Sequence, residues 1–179
     1  MWIDLKKLSK VHQAYIASIG RAITVAQHLE ATARFVIRVY ESTEADKSGK
    51  TKDFDELKEL MKLLDNVLLG RMVRRFEQYG EFSESDVEIL KLGTEARNFM
   101  AHKSALIVSE FPDRPDELIQ QVKLYKIRVN ELCNADNLVS SWSYEIQENE
   151  PTPKQFFEEY PLKLSSWILE PINDISLAG

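Results

Sequence analysis

The chain has 179 residues, 44% hydrophobic and 29% charged, with only six glycines and six prolines. That balance excludes collagen-like, disulfide-scaffold and low-complexity chains, and it fits one domain with one core. Twenty-nine acidic against 23 basic residues give a net charge of −6, so any contact with nucleic acid has to come from a local basic patch. Cys133 is the only cysteine, which rules out an intramolecular disulfide and a cysteine-based zinc site and points to a reducing compartment, the cytoplasm. No run approaches the roughly 20 apolar residues of a membrane span. The start, MWIDLKKLSK, lacks the apolar stretch of a secretory signal.

Proline is absent until Pro112, and apolar residues at helical spacing predict one long amphipathic helix over about residues 4–42. Its seam reads Ile16, Ile19, Ile23, Ala26, Glu30, Ala33, Ile37, Tyr40. Glu30 falls where an apolar residue belongs, and the drift of a straight helix against a seven-residue repeat is expected to swing it to water. Residues 43–52 read as a loop. Asp53 with Glu56 then has capping-box spacing, opening a helix through about Leu69 that Gly70 breaks. In the stretch that follows, Arg71, Arg74, Arg75 and Gln78 share one helical face, the densest basic stripe of the chain.

Ser83 and Asp86 repeat the capping-box spacing and open a helix to about residue 107, with Val87, Leu90, Thr94, Arg97 and Ala101 along one face. Asp113, Arg114 and Pro115 suit the next helix start, and Leu118, Val122, Tyr125, Val129 and Leu132 continue it. Beyond Asn134 the pattern weakens to a short helix near 138–146. Thr152, Pro153 and Gln155 then open another, and Pro161 and Pro171 bracket a segment whose Leu164, Trp167 and Ile168 pack onto the body. The expected fold is all-α: an up-and-down bundle of four to five main helices over residues 1–134, with a short helical C-terminal appendage over 135–179 in the same domain.

The common nucleotide-loop, zinc-protease and nucleophile-elbow signatures are missing, and no metal site or cofactor is expected. His12, His28 and His102 are the side chains that titrate unaided near neutrality. His28 lacks a partner at metal-ligand spacing and reads as a surface or packed histidine. His102 ends the run Glu95-Ala96-Arg97-Asn98-Phe99-Met100-Ala101-His102. Asn98 and His102 stand i and i+4, so the amide can fix the imidazole, and Glu95 lies one turn earlier. Arg97 lies five residues before His102, about 140° around the helix, and its long side chain can curl toward it.

This run resembles the motif of the HEPN superfamily (higher eukaryotes and prokaryotes nucleotide-binding), an arginine and a histidine separated by four to six residues with a polar residue after the arginine. The resemblance spans about residues 10–132, includes the long first helix, and extends to Leu69-Gly70. It implies an endoribonuclease of toxin or antiviral-defence type that needs no metal and cleaves RNA by attack of the 2′-OH. The products are a 2′,3′-cyclic phosphate and a 5′-OH end. In that reading Arg97 holds the scissile phosphate, His102 is the acid–base group, and Asn98 orients one or the other. Glu95 and Glu30 are candidate supports, and Arg71, Arg74 and Arg75 are a candidate RNA track. The implied partners are a second copy completing a composite cleft and an antitoxin protein. The alternative is a noncatalytic HEPN-like module that binds a nucleotide, RNA or protein.

Overall fold

A computed structural model describes residues 9–49, 54–65, 67–80, 82–104 and 115–176; among these there is no strand. Six helices follow in order: α1 (Lys10–Lys47), α2 (Phe54–Leu64), α3 (Leu69–Tyr79), α4 (Glu84–His102), α5 (Pro115–Glu148) and α6 (Lys154–Ser176). The all-α bundle expected from periodicity is the one observed, and no described helix is long and apolar enough to cross a membrane. Ser9 caps α1 by accepting the His12 amide on its Oγ. Ser83 and Asp86 form the expected capping box, each side chain accepting the other's backbone N–H at 3.1 and 3.2 Å. Gly80 closes α3 with a left-handed φ of 67°.

The helix boundaries depart from expectation in four places. α1 continues to Lys47, absorbing part of the predicted loop; Asp53 and residues 50–52 lie outside the described residues. Gly70 does not break α2. The chain leaves α2 at Asp65, which pairs with Arg38 of α1, and Leu64 and Val67 turn into the core on either side of the break. α4 ends at His102 rather than near 107, with residues 105–107, Asp113 and Arg114 outside the described residues. α5 runs unbroken through Asn134 to Glu148, because residues 116–148 contain no glycine or proline to stop it. The periodicity fades there because Asp136 and Ser143 replace apolar residues on the buried face.

The two late prolines do not bracket a segment; both lie inside α6. Pro171 has no N–H for the carbonyl of Trp167, four residues back, and an interior proline ordinarily costs about 3 kcal/mol. α1 supplies the missing donor. Arg21 Nη1 donates to the Trp167 carbonyl at 2.5 Å, and Ser18 Oγ donates to the neighbouring Ile168 carbonyl at 2.7 Å. The predicted appendage is thus a wall of the core, with Ile168 and Ile172 buried against α1.

The core face of α1 shares Ile19, Ala26, Ala33 and Ile37 with the predicted seam and departs from it elsewhere. Tyr15, Ala22, Leu29 and Val36 are buried, whereas Ile16 and Ile23 are 39% and 37% exposed. Aromatic contacts fasten both ends of the bundle. Tyr15 meets Tyr125 at 4.9 Å between centroids, and Phe82 meets Trp142 at 4.5 Å and Tyr40 at 5.0 Å. Cys133 is buried among these helices, and desolvation pushes its thiol up to about 12.

Between those ends α4 and α5 approach closely. A Cβ built on Gly93 would stand 2.2 Å from Ala135 Cβ, with Leu29 Cδ2 of α1 at 3.7 Å. Gly93→Ala is therefore expected to cost about 1–3 kcal/mol of overpacking, lowering Tm by about 3–10 °C in a domain of this size. Adding Ala135→Gly, which vacates that space, should return most of the loss; thermal melts of the single and double variants check both statements.

Candidate functional site

α4 buries Val87, Leu90, Gly93, Ala96, Phe99 and Met100, which leaves its other positions for solvent and for the neighbouring helices. Arg97 sits on the edge facing α1. Its Nη2 donates to Glu30 Oε2 at 2.8 Å and its Nη1 to Asn98 Oδ1 at 3.1 Å, with the arginine 26% and the glutamate 16% exposed. Glu30 does not swing to water as the drift argument anticipated. It lies between two guanidiniums, since Arg34 Nη2 approaches its Oε1 at 3.6 Å. One carboxylate between two arginines is a cluster of net charge +1 on a chain of net charge −6. Arg34 was not singled out from the sequence, although its i,i+4 spacing to Glu30 carries the signal.

His102 is exposed in the last turn of α4. The expected Asn98–His102 hydrogen bond is not formed; Asn98 Oδ1 accepts from Arg97 instead. Arg97 therefore curls toward the Asn98–His102 side of the helix, as its length allows, and Asn98 steadies the arginine rather than the imidazole. Glu95 goes elsewhere. It pairs with Arg128 of α5 at 3.1 Å, and Arg128 also holds Glu131 at 2.8 Å, so Glu95 does not support the histidine.

The basic stripe of α3 is divided. Arg75 is paired with Glu41 of α1, whereas Arg71 and Arg74 are exposed. α3 begins beside α4, since a Cβ on Gly70 would touch Thr94 Cγ2 at 3.6 Å, and Thr94 stands one turn before Asn98. Arg71 is thus the member of the stripe whose backbone starts next to the Arg97–Asn98 turn.

A second polar cluster, missed in the sequence, lies between α1, α5 and α6. Asp136 is fully buried; its Oδ1 is 2.7 Å from His28 Nδ1, and its Oδ2 accepts from the Tyr160 hydroxyl at 2.9 Å. A buried carboxylate is tolerated when both oxygens are satisfied, which is what His28 and Tyr160 do. The hydrogen bond to Asp136 raises the His28 pKa above its ordinary 6.5, against opposition from partial burial. Burial first, then Asp136, push the Tyr160 hydroxyl well above its usual range. The sequence signal is the stripe Asp136, Ser140, Ser143, Gln147, polar side chains at the spacing where α5 should be apolar.

Among the described residues no group of His, Cys, Asp or Glu is placed to hold a metal ion. Comparison with family models, with characterised proteins and with solved structures found no match.

The sign of the His28 shift sets a pH dependence of stability. A group whose folded pKa is raised contributes stability that is complete below its unfolded value, here about 6.5, and is lost as pH rises through the elevated folded value. Tm is expected to fall over that range on going alkaline. His28→Gln should lower Tm at acid pH and flatten this segment of the profile, as measured by melts at intervals from pH 5.5 to about 8.5.

Proposed function

We propose that the chain is an endoribonuclease of the HEPN type that needs no metal, acts as a homodimer, and cleaves RNA by 2′-OH attack. The observation that carries the reading is Arg97, held by Glu30 and Asn98 at the solvent boundary, with His102 exposed one turn beyond Asn98 on the same helix. A guanidinium has five N–H donors, and these two contacts leave others for a phosphate. Arg97 binds the scissile phosphate and stabilises the charge that grows on its nonbridging oxygens during in-line attack. His102 removes the 2′-OH proton as the 2′-oxygen bonds to phosphorus; the bond to the 5′-oxygen breaks, and that oxygen takes up a proton from an imidazolium. In a two-fold dimer one copy supplies the base and the other the acid. The exposed Ile16 and Ile23 lie at seven-residue steps before Glu30 on α1, so a copy docked on that stripe lies beside the Arg97 cluster. Arg71 and Arg74 extend the positive surface along which RNA approaches. A toxin or defence role, restrained by an antitoxin protein and exercised in the cytoplasm, belongs to the same proposal.

Cleavage of a labelled structured RNA in EDTA is expected to leave cyclic phosphate ends, and DNA should stay intact for want of the 2′-OH. Arg97→Ala and His102→Ala should each lower the rate at least about 100-fold while circular dichroism is unchanged. Ile23→Glu should shift the light-scattering mass from dimer to monomer and reduce cleavage with it. RNA that is bound but not cut by the native chain would replace this reading with the noncatalytic module.

A further inference from the structure

Beside the His28–Asp136–Tyr160 cluster the bundle is open. A cleft of about 250 Å³ between α1, α5 and α6 is lined by His28, Ser140, Ser143, Gln147, Phe157 and Tyr160, among others. His28 is 55% exposed on its side chain, and Asp136 occupies Nδ1, so Nε2 is the nitrogen left to the cleft. Ser140 Oγ is buried there without a partner, although buried hydroxyls are normally satisfied. Ser143 Oγ accepts from Gln147 Nε2 at 2.7 Å, which leaves its own hydroxyl proton to donate. A clip holding three helices together needs only the Asp136 contacts. It does not need an exposed imidazole edge, an unpartnered buried hydroxyl and a row of polar side chains facing open space.

The charges decide what fits. Asp136 offsets a protonated His28, and Glu148 at the rim adds a further negative charge, so the cleft gives an anion no net attraction. What it offers is acceptors and hydroxyls in the middle and aromatic faces at Tyr144, Phe157 and Tyr160. Hydroxyl groups on a ring whose C–H face rests on an aromatic satisfy both, and the volume is that of one such ring with a small substituent.

We infer that this cleft is a binding site for the hydroxylated ring of a sugar, free or as the ribose of a nucleoside, with His28 Nε2 hydrogen-bonded to one ring hydroxyl and Ser140 pairing with another. The site is independent of the Arg97 cluster.

Saturation-transfer NMR on the full chain, with ribose, glucose, adenosine, 2′,3′-dideoxyadenosine and inorganic phosphate as probes, tests this. Ribose or adenosine is expected to bind saturably near about 1 mM. Dideoxyadenosine, without the vicinal hydroxyls, and phosphate should bind at least tenfold more weakly. Equal binding of the free sugars and adenosine identifies the sugar ring as the ligand; adenosine alone identifies a nucleoside. His28→Ala should abolish the signal, and so should Gln147→Leu, an exposed position whose change leaves the fold intact; Arg97→Ala should leave it unchanged. The inference is overturned if no hydroxylated probe saturates below about 10 mM, if phosphate or dideoxyadenosine binds as well as adenosine, or if binding survives both cleft variants.

Discussion

Three residues with little side chain between them set the geometry on which both polar sites depend. Gly93 of α4 lies against Ala135 of α5 and within van der Waals reach of Leu29 of α1, so three helices meet at one point. From there the sequence neighbours diverge. Glu30, one residue after Leu29, meets Arg97, one turn after Gly93. His28, one residue before Leu29, meets Asp136, one residue after Ala135. The two sites are therefore opposite sides of one packing contact, and a shift of α1 against α4 and α5 displaces both.

The same contact explains why the face of α1 was legible only in part. Two seven-residue series run side by side along the helix, Ile16-Ile23-Glu30-Ile37 and Tyr15-Ala22-Leu29-Val36. Hydrophobicity favours the first at three of its four positions, through its isoleucines. The second is the one without a charge and is buried throughout, whereas the first is buried only at Ile37. The small Ala22, Ala26 and Ala33, all buried, leave room for other helices to come close. Packing distance outranks hydrophobicity of single residues in this core, and composition alone does not report it.

Local features of the site could be read off the chain; distant ones could not. The Arg97–Asn98 contact and the Ser83 box lie within one helix, and their geometry follows from 3.6 residues per turn. The Glu30–Arg97 and His28–Asp136 pairs join residues 67 and 108 apart in sequence, and nothing near either partner announces the other. The prolines of α6 misled for a related reason. A proline ends a helix when no outside donor can satisfy the carbonyl it strands, and for Pro171 that donor is Arg21, about 150 residues earlier. Its presence is a property of the folded bundle, as is the half-buried setting that removed Glu30 from water.

An arginine that is to grip a phosphate faces two opposed demands. Left free, it loses up to about 2 kcal/mol of rotamer freedom on binding; fixed by a single exposed acid, it is neutralised and loses its attraction for the anion. The arrangement around Arg97 meets both. Glu30 fixes the guanidinium from one side and Asn98 from the other, so position is secured partly by a neutral group. Arg34 shares the carboxylate, so the charge that Glu30 cancels is returned to the cluster. Partial burial of Glu30 strengthens each contact, because the local dielectric is lower than that of water, while the arginine keeps about a quarter of its side-chain surface for an incoming ligand. The cluster is thus ordered and positive without a ligand, which in the proposed reading is the condition under which electrostatic stabilisation of a transition state costs no reorganisation at the moment of reaction.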